Sequence, residues 1–388
     1  MSTFFGLIEE IPGISVDRFD EKNSKSSAYF LSHCHTDHMQ GLDDKFFKRL
    51  QQYNKYFYCS CISKTFLKAT YRYTESCVKD IALDKKILIE YKNKDNDKNT
   101  DILFVTCISA GHCPGSVMFL FETDKLVLYT GDFRINPKDF AKITSLHSCK
   151  NFNMYPKKLA KMYLDTTFLD PNFAFFPTRE ESINVMCKVV KEWLEKSSGN
   201  VVVLECSALY GSEFLYVELS KFLKTCIHIK DFVYKNYNCI SSLADYITDN
   251  PLATRIHACM KKFDRSGLKC RSDILEKNIL TIVPSVLKWK GKDTSVIGEW
   301  DNARERTFNV CYSAHASFDE LKKFLQYFKP EEIHPCVCSE ELKHRIYYLL
   351  SEIKSEIKSK TKTKESDAIN NHEKYTLQVL KHEVINKS

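Results

Sequence analysis

The feature that most constrains this chain is a run of metal-binding side chains directly after an apolar, aromatic segment. The stretch YFLSHCHTDHMQGL begins at Tyr29 and places three histidines and an aspartate within six residues, as His33, His35, Asp37 and His38. Residues two apart in an extended chain point to the same side, so the first three of these side chains converge and the fourth faces a neighbouring point. Imidazole and carboxylate groups suit zinc and other first-row divalent ions. The stretch therefore predicts a metal site, with two adjacent positions about 3.5–4 Å apart.

Other reactive residues stand where short apolar runs end. DILFVTCISA and KLVLYTG lead to His112 and Asp132, while KMYLDTTF and TFNVCYSA lead to Asp165 and His315. Runs this short, bounded by Gly, Pro or polar residues, predict strands, and reactive groups at strand ends are typical of layered α/β architectures. We expect His112 and Asp132 to complete the metal site, with the two oxygens of Asp132 bridging two ions. The alternative, histidines gathered by accident, is disfavoured by these later strand ends.

Helices are predicted between these strands. Thr178 with Glu181, and Ser317 with Glu320, form capping boxes that open TREESINVMCKVVKEWLEK and SFDELKKFLQYF. A further helix is predicted at EELKHRIYYLLSEIK. The lysine-rich segment 354–388 reads as a solvated tail in preference to a binding element.

Composition narrows the class of protein. The 388 residues, 43% of them apolar, predict a globular chain of two or three domain-sized units. The net charge of +7 is compatible with a polyanionic partner without demonstrating one. The 16 cysteines are scattered, and neither a secretory leader nor an apolar run of about 20 residues is visible. We therefore expect reduced thiols in the cytosol or nucleus and no membrane association.

These segments carry a family resemblance. SHCHTDHMQGL resembles the signature of the metallo-β-lactamase superfamily, and ISVDRF, AGHCPGSVMF, YTGDFR and YLDTTF are similar to motifs of its β-CASP nuclease branch. The resemblance covers about residues 1–350 and implies an α/β fold, a four-layered αββα metallo-β-lactamase domain with an inserted α/β β-CASP domain. The implied division is 1–155 for the first segment, 156–306 for the insert, 307–353 for the return segment and 354–388 for the tail.

The resemblance also implies roles for individual residues. The first metal would be held by His33, His35, His112 and Asp132. The second would be held by Asp37 and His38, with Asp132 shared. Asp17 would sit behind the ligands and fix the orientation of a histidine. Asp165 matches the acidic motif of the branch, and His315 would contact the substrate phosphate or protonate the leaving oxygen. The implied catalytic set is Asp17, Asp37, Asp132, Asp165 and His315, with Ser317 and Thr166 as further contacts to the substrate phosphate.

A second zinc position is implied far along the chain. Its ligands would be His228, His257, Cys259 and Cys270, which resemble a structural zinc site of DNA-processing members of the branch. From spacing alone, H-x-C with one later cysteine is a weak signal, and free core thiols are the alternative. Four protein ligands would close such a site and make it structural.

Departures from the family pattern bear on the substrate. RNA-directed members carry a histidine at a late motif where DNA-directed members carry valine. That position aligns near Ser339, with Val337 close by, whereas His334 is out of register. The missing histidine favours DNA.

Two lysines of DNA-processing members are also replaced. Ser207 stands in place of one and Val283 in place of the other, although Lys288 and Lys290 are near. These losses weaken the case for a 5′-phosphate pocket copied from the family.

The implied function is a metal-dependent DNA endonuclease of the nucleus. It would open hairpins, including those of V(D)J type, and trim single-strand/double-strand junctions in non-homologous end joining. The expected cofactor is Zn²⁺, one or two ions, with Mg²⁺ or Mn²⁺ as alternatives for activity. The expected partners are DNA and a DNA-repair kinase or ligase, and the expected state is a monomer.

Four alternatives stay open. They are a 5′-to-3′ DNA exonuclease of interstrand-crosslink or telomere repair, an RNA-processing endonuclease, a small-molecule hydrolase, and a non-catalytic scaffold with a relic site. The insert of about 150 residues and the YLDTTF motif disfavour the hydrolase. The full ligand set disfavours the scaffold.

Overall fold

The computed structural model describes residues 2–92, 100–206, 211–259 and 268–359. Its strands are β1 (Ile14–Val16), β2 (Ala28–Phe30), β3 (Tyr56–Cys59), β4 (Val78–Asp80), β5 (Lys86–Lys92), β6 (Thr100–Ser109), β7 (Val117–Glu122), β8 (Leu126–Tyr129), β9 (His147–Lys150), β10 (Asn153–Pro156), β11 (Lys161–Leu164), β12 (Val201–Leu204), β13 (Ile227–His228), β14 (Ile247–Thr248), β15 (Ile256–His257), β16 (Ile279–Pro284), β17 (Gly298–Trp300), β18 (Thr307–Val310) and β19 (Glu332–Pro335). Its α-helices are α1 (Asp44–Gln52), α2 (Cys61–Thr70), α3 (Thr74–Cys77), α4 (Arg179–Lys196), α5 (Glu213–Leu223), α6 (Asp231–Tyr237), α7 (Ser241–Ala244), α8 (Phe318–Phe328) and α9 (343–359).

A four-stranded and a six-stranded sheet pack face to face. One has the strand order β1-β2-β3-β4 and the other β19-β11-β8-β7-β6-β5. A core of buried side chains from both sheets, Phe30 and Phe119 among them, lies between them. Helix α1 packs on the outer face of the first sheet, and α8 and α9 pack on the outer face of the second. The order helix, sheet, sheet, helix confirms the predicted four-layered αββα fold.

The strand β7 shows why these strands read as continuous apolar runs. Successive side chains of a strand point to opposite faces of the sheet. Phe119 and Phe121 lie in the core between the sheets, whereas Met118 and Leu120 pack against the outer helices. Both faces are buried, so the strand has no polar alternation.

A separate sheet has the order β14-β13-β15-β12-β16-β18-β17. Its strands pair in parallel except for the edge strand β17, and α4 and α5 cover it through a large apolar cluster. Because β18 pairs with β16, a boundary drawn by sheet membership lies after Val310, whereas the sequence placed the return segment at 307. The division into domains itself stays a prediction.

The predicted helices and caps are present. Thr178 and Ser317 each accept a hydrogen bond in a complete capping box, at the starts of α4 and α8. Helix α9 continues five residues beyond the predicted start of the tail at 354, and Ile357 packs against the core. Residues 360–388 of that tail lie outside the described part of the chain. Within the described residues, no helix is long and apolar enough to cross a membrane.

Candidate metal centre

The predicted reactive residues meet at one edge of the six-stranded sheet. Strands β6, β8 and β11 run in the same direction, since β7 is antiparallel to both β6 and β8 while β11 is parallel to β8. Their carboxyl ends therefore bring His112, Asp132 and Asp165 together. The segment after β2 faces this edge from the other sheet. We call the resulting group the His–Asp centre; its members are His33, His35, Asp37, His38, His112 and Asp132.

One part of the centre has a ligand set for a divalent ion. Ligand atoms of His33, His35, His112 and Asp132 all lie within 4.8 Å of one another. Asp132 Oδ2 is 3.6 Å from His33 Nε2 and 3.8 Å from His112 Nε2. The Nε2 atoms of His33 and His35 are buried and have no hydrogen-bond partner among the described residues. Buried nitrogens without partners are costly, and a metal ion would satisfy them.

The second oxygen of Asp132 faces a different pair of residues. Asp132 Oδ1 is 3.3 Å from His38 Nε2, and that nitrogen is 3.8 Å from Asp37 Oδ2. His38 Nε2 is also buried and unpartnered among the described residues. The carboxylate of Asp132 therefore stands between two sets of ligands. Such an arrangement can bridge two ions.

Asp17 lies behind the histidines and fixes them. Its carboxylate accepts hydrogen bonds from His38 Nδ1 (2.8 Å), Tyr129 Oη (2.8 Å), Ser32 N (2.7 Å) and the Ser32 hydroxyl. His33 Nδ1 lies 2.9 Å from the same hydroxyl. These bonds occupy the Nδ1 atoms and direct the Nε2 atoms into the centre. Asp17 has a φ of 55°, a left-handed conformation that Asp tolerates better than most residues.

The pKa values of three histidines favour metal binding, whereas that of His38 favours its charged form. Burial lowers the pKa of His33 and His112 well below the usual range and that of His35 to about 4. These imidazoles are therefore neutral near pH 7 and have a free lone pair. Burial also acts against charged His38, but Asp132 and Asp17 outweigh it and raise the pKa of that imidazole. The pKa of Asp132 is lowered in spite of burial, because His38 and His315 stabilise its charge.

A second pair of residues, Asp165 and His315, lies beside Asp132. His315 Nδ1 donates a 3.0 Å hydrogen bond to Asp165 Oδ2, and His315 Nε2 lies 3.9 Å from Asp132 Oδ2. Asp165 also accepts hydrogen bonds from the backbone and hydroxyl of Thr167, at 2.9 and 2.6 Å. The carboxylate thus orients the histidine. His315 remains partly exposed, with 24% of its side chain accessible.

Two predicted phosphate contacts need correction. Ser317 is fully buried and caps α8 by accepting from Glu320 N. The Thr166 hydroxyl is buried, donates to Val337 O at 2.6 Å and accepts from Val337 N at 3.1 Å. Both hydroxyls are needed to satisfy backbone groups, so neither is free for a substrate.

The second predicted zinc position also comes together. Ligand atoms of its four residues lie within 4.8 Å of one another, and we call this group the His–Cys cluster; its members are His228, His257, Cys259 and Cys270. Neighbouring strands β13 and β15 pair His228 with His257, whose Nδ1 atoms are 3.1 Å apart. The two sulfur atoms are 3.4 Å apart. The hydrogen bond from Cys259 and the two imidazoles lower the pKa of Cys270.

The residues at which the sequence departs from the family pattern are not members of the His–Asp centre. His334 packs against the rings of Phe4 and Tyr163 and belongs to none of the ligand groups of the described residues. Lys288 pairs with Asp301. Val283 lies in β16, and Ser207 lies outside the described residues.

Sequence reasoning missed several residues that hold the centre together. Ser32 and Tyr129 contact Asp17, and the carbonyl of Ala314 accepts a 3.0 Å hydrogen bond from His112 Nδ1. Ser32 and Tyr129 are the first residues of the motifs SHCHTDHMQGL and YTGDFR, and that position is a signal that could have found them. The partner of His112 is a backbone atom and has no such signal.

Comparison with known proteins finds one matching family model and several similar proteins. A family model described as "DRMBL: DNA repair metallo-beta-lactamase" matches residues 241–341. Protein artemis of Danio rerio is 37% identical over 350 residues, which cover 87% of this chain and 53% of that protein. The human protein artemis is 36% identical over 351 residues, covering 87% of this chain and 49% of that protein. This chain therefore spans about half the length of these relatives.

More distant matches carry related names. The DNA cross-link repair 1A protein of Mus musculus is 26% identical over 338 residues, which cover 84% of this chain and 30% of that protein. Among solved structures, the metallo-β-lactamase fold protein YhfI of Bacillus subtilis matches with a TM-score of 0.23 and 18% identity, over 37% of this chain and 50% of that one. A likeness at that level supports no further statement.

Proposed function

The chain belongs to the Artemis-like family of DNA repair metallo-β-lactamase proteins, and from that premise we propose that it is a metal-dependent nuclease that cleaves DNA. The observation that carries the proposal is the placement of Asp132: its Oδ2 lies near the Nε2 atoms of His33 and His112, and its Oδ1 lies near the Nε2 atom of His38.

The His–Asp centre fits one or two divalent ions. His33, His35, His112 and Asp132 would hold the first, and Asp37 and His38, with Asp132 shared, would hold the second. When bound, such ions lower the pKa of water to about 7 and offset charge on phosphoryl oxygens. Nitrogen and oxygen donors suit Zn²⁺, which we propose as the ion, with Mg²⁺ or Mn²⁺ as alternatives for activity.

His315 is placed to protonate the leaving group of the reaction. Burial lowers its pKa, but the charges of Asp165 and Asp132 outweigh burial and raise that pKa above the usual value. The two carboxylates therefore favour the protonated form of the imidazole. Asp165 holds Nδ1, which leaves the Nε2 proton free for the departing 3′ oxygen. Cleavage of the bond between phosphorus and the 3′ oxygen would leave 5′-phosphate and 3′-hydroxyl ends.

We propose DNA hairpins, overhangs and single-strand/double-strand junctions as substrates. The basis is the Artemis-like family and the absence of a histidine at the late motif, where Val337 and Ser339 stand. End joining in the nucleus, as a monomer with a DNA-repair kinase or ligase, is the setting we propose. A 5′-to-3′ exonuclease is the second candidate, because the similarity extends to a DNA cross-link repair protein.

A cleavage panel tests the proposal. The substrates are a hairpin, 5′ and 3′ overhangs, a 5′-phosphorylated single strand and an RNA strand, each end-labelled. The wild type is compared with Asp37→Asn and with Asp170→Asn, a matched change whose carboxylate pairs with Arg345 outside the centre. We expect wild type and Asp170→Asn to cut DNA and Asp37→Asn to be inactive.

Product length separates the two candidates. Products cut at the hairpin tip or junction support the endonuclease, whereas mononucleotides released from the 5′ end support the exonuclease. Equal cutting by the wild type and Asp37→Asn would show that the centre is not responsible.

A further inference from the structure

Arg134 is a buried cation two residues beyond Asp132. Its side chain is 5% exposed and makes an ion pair with Glu320, through Nε at 3.2 Å and Nη2 at 3.1 Å. The same guanidinium donates to Ser313 O at 3.0 Å and to Pro177 O at 2.8 Å. Two segments connect the αββα layers with the seven-stranded sheet; Pro177 lies in one and Ser313 in the other. Arg134 therefore links both segments to the strand end that bears Asp132.

The turn that follows Ser313 supplies two contacts of the centre. The Ser313 hydroxyl accepts from His315 N at 3.0 Å and donates to His315 O at 2.9 Å, which closes a tight turn. Within that turn, Ala314 O accepts the Nδ1 proton of His112. The next residue, His315, reaches Asp165. The position of this short turn therefore sets the orientation of two imidazoles.

We propose that Arg134 is a positioning residue: by holding Ser313 O it fixes the Ser313–His315 turn, and through the turn it sets the metal-facing orientation of His112 and the place of His315. The inference deepens the proposed function and rests on it. It gives Arg134 no contact with substrate or metal.

The contacts of Arg134 require a guanidinium group, which an ammonium group cannot replace. A guanidinium presents several N–H donors in a fixed planar fork, whereas an ammonium group is a point charge on a flexible stem. Arg134 uses that fork to reach a carboxylate and two carbonyls in three directions. Glu320 holds the fork in place while its other role, accepting from Ser317 N at 2.7 Å, keeps it at the start of α8.

The test compares Arg134→Lys with Arg345→Lys in the full chain. Arg345 also pairs with a carboxylate, that of Asp170, but its side chain is 49% exposed and far in sequence from the centre. Co²⁺ is titrated as the probe, and its visible spectrum reports binding by the His–Asp centre, while sulfur-to-metal bands report the His–Cys cluster. We expect Arg134→Lys to weaken Co²⁺ binding at the His–Asp centre by about 10–100-fold, the range for lost support of metal ligands. Arg345→Lys should match the wild type.

Cleavage kinetics give the second readout. Misplaced His112 and His315 should lower kcat of Arg134→Lys, measured per folded molecule, more than they raise KM. A loss of stability alone would leave both values unchanged per folded molecule. If Arg134→Lys does not fold, the same measurements are made on Glu320→Gln. That change keeps the side-chain shape and the hydrogen bond from Ser317 N but removes the negative charge that holds the guanidinium of Arg134. Wild-type Co²⁺ affinity and kcat in a folded variant would overturn the inference. A wild type that binds Co²⁺ at the centre, in a manner sensitive to Arg134, yet cuts no DNA would instead overturn the proposed function alone.

Discussion

The molecule carries two groups of metal-binding side chains, and they differ in the chemistry of their ligands. The His–Asp centre is rich in imidazole and carboxylate, and Asp37 and His315 remain about a quarter exposed, at 23% and 24% of their side chains. The His–Cys cluster has two buried imidazoles, His228 and His257, and two half-buried thiols, and it contains no carboxylate. Sites with an open position suit catalysis, whereas four protein ligands suit a structural ion.

The two groups also differ in what supports them. In the His–Asp centre, imidazole nitrogens donate hydrogen bonds to Asp17 and to the carbonyl of Ala314, and the neighbouring His315 donates to Asp165. These acceptors orient the rings. The His–Cys cluster depends on the pairing of two short strands and on direct contacts among its own members. We infer that the first is built for a defined geometry and the second for holding the seven-stranded sheet together. The predictions below test that difference.

The largest effect is expected from Asp132→Asn. The change removes the charge that faces both sets of ligands, so bound water would no longer be activated. We expect DNA cleavage to fall by roughly 10³-fold or more, since a metal lowers the pKa of water from 15.7 to about 7. Single-turnover cleavage of a labelled hairpin measures the loss. Asp139→Asn, at an exposed ion pair with Lys142, is the control and should cut like the wild type.

The opposite pattern is expected from Cys259→Ser. Loss of a ligand from a structural zinc site weakens folding by several kcal/mol, because metal binding and folding are coupled. Thermal melting should shift down markedly, while the cleavage rate per folded molecule changes by less than about twofold, since distant sites act independently. Cys149→Ser, at an exposed thiol, is the matched control. A melting temperature unchanged by Cys259→Ser would show that the cluster carries no structural ion.

An intermediate effect is expected from Asp17→Asn. Asn tolerates the left-handed backbone at this position, so the change isolates the hydrogen bonds to His38, Ser32 and Tyr129. Metal affinity of the His–Asp centre should fall about 10–100-fold, with the His–Cys cluster unaffected. Isothermal titration with Zn²⁺ measures both. Equal weakening at both groups would mean that the change acts on the whole fold.

The smallest effect is expected at the two capping residues. Ser317→Ala and Thr178→Ala each remove an N-cap hydroxyl, and each should cost about 1 kcal/mol of unfolding free energy. Urea denaturation measures the cost. If Ser317 serves only as a cap, its substitution leaves KM for DNA unchanged, as does the substitution of Thr178. A rise in KM for Ser317→Ala alone would restore its predicted contact with the substrate.

The sequence predicted those parts of the molecule that depend on local spacing. The convergence of His33 and His35 follows from alternation along an extended chain, and the caps at Thr178 and Ser317 follow from residues three apart. The αββα layers follow from the strand pattern together with the family resemblance. These features need little information from distant parts of the chain.

What the sequence missed depends on contacts made only in the folded chain. The bond from His112 to Ala314 joins residues 202 apart and ends on a backbone carbonyl, which any residue type would supply. Arg134 was visible in YTGDFR, but its partners lie in three other segments. Burial and backbone bonding occupy the hydroxyls of Ser317 and Thr166, which speaks against the phosphate contacts predicted for them.

X-ray anomalous scattering at the zinc edge, from crystals of the wild type, tests most directly whether the His–Asp centre holds metal. The account predicts an anomalous peak bounded by His33, His112 and Asp132, at about 2.0–2.2 Å from the donor atoms, and a second peak among the His–Cys ligands. Anomalous density at the His–Cys cluster alone, with none beside Asp132 at saturating zinc, would contradict it.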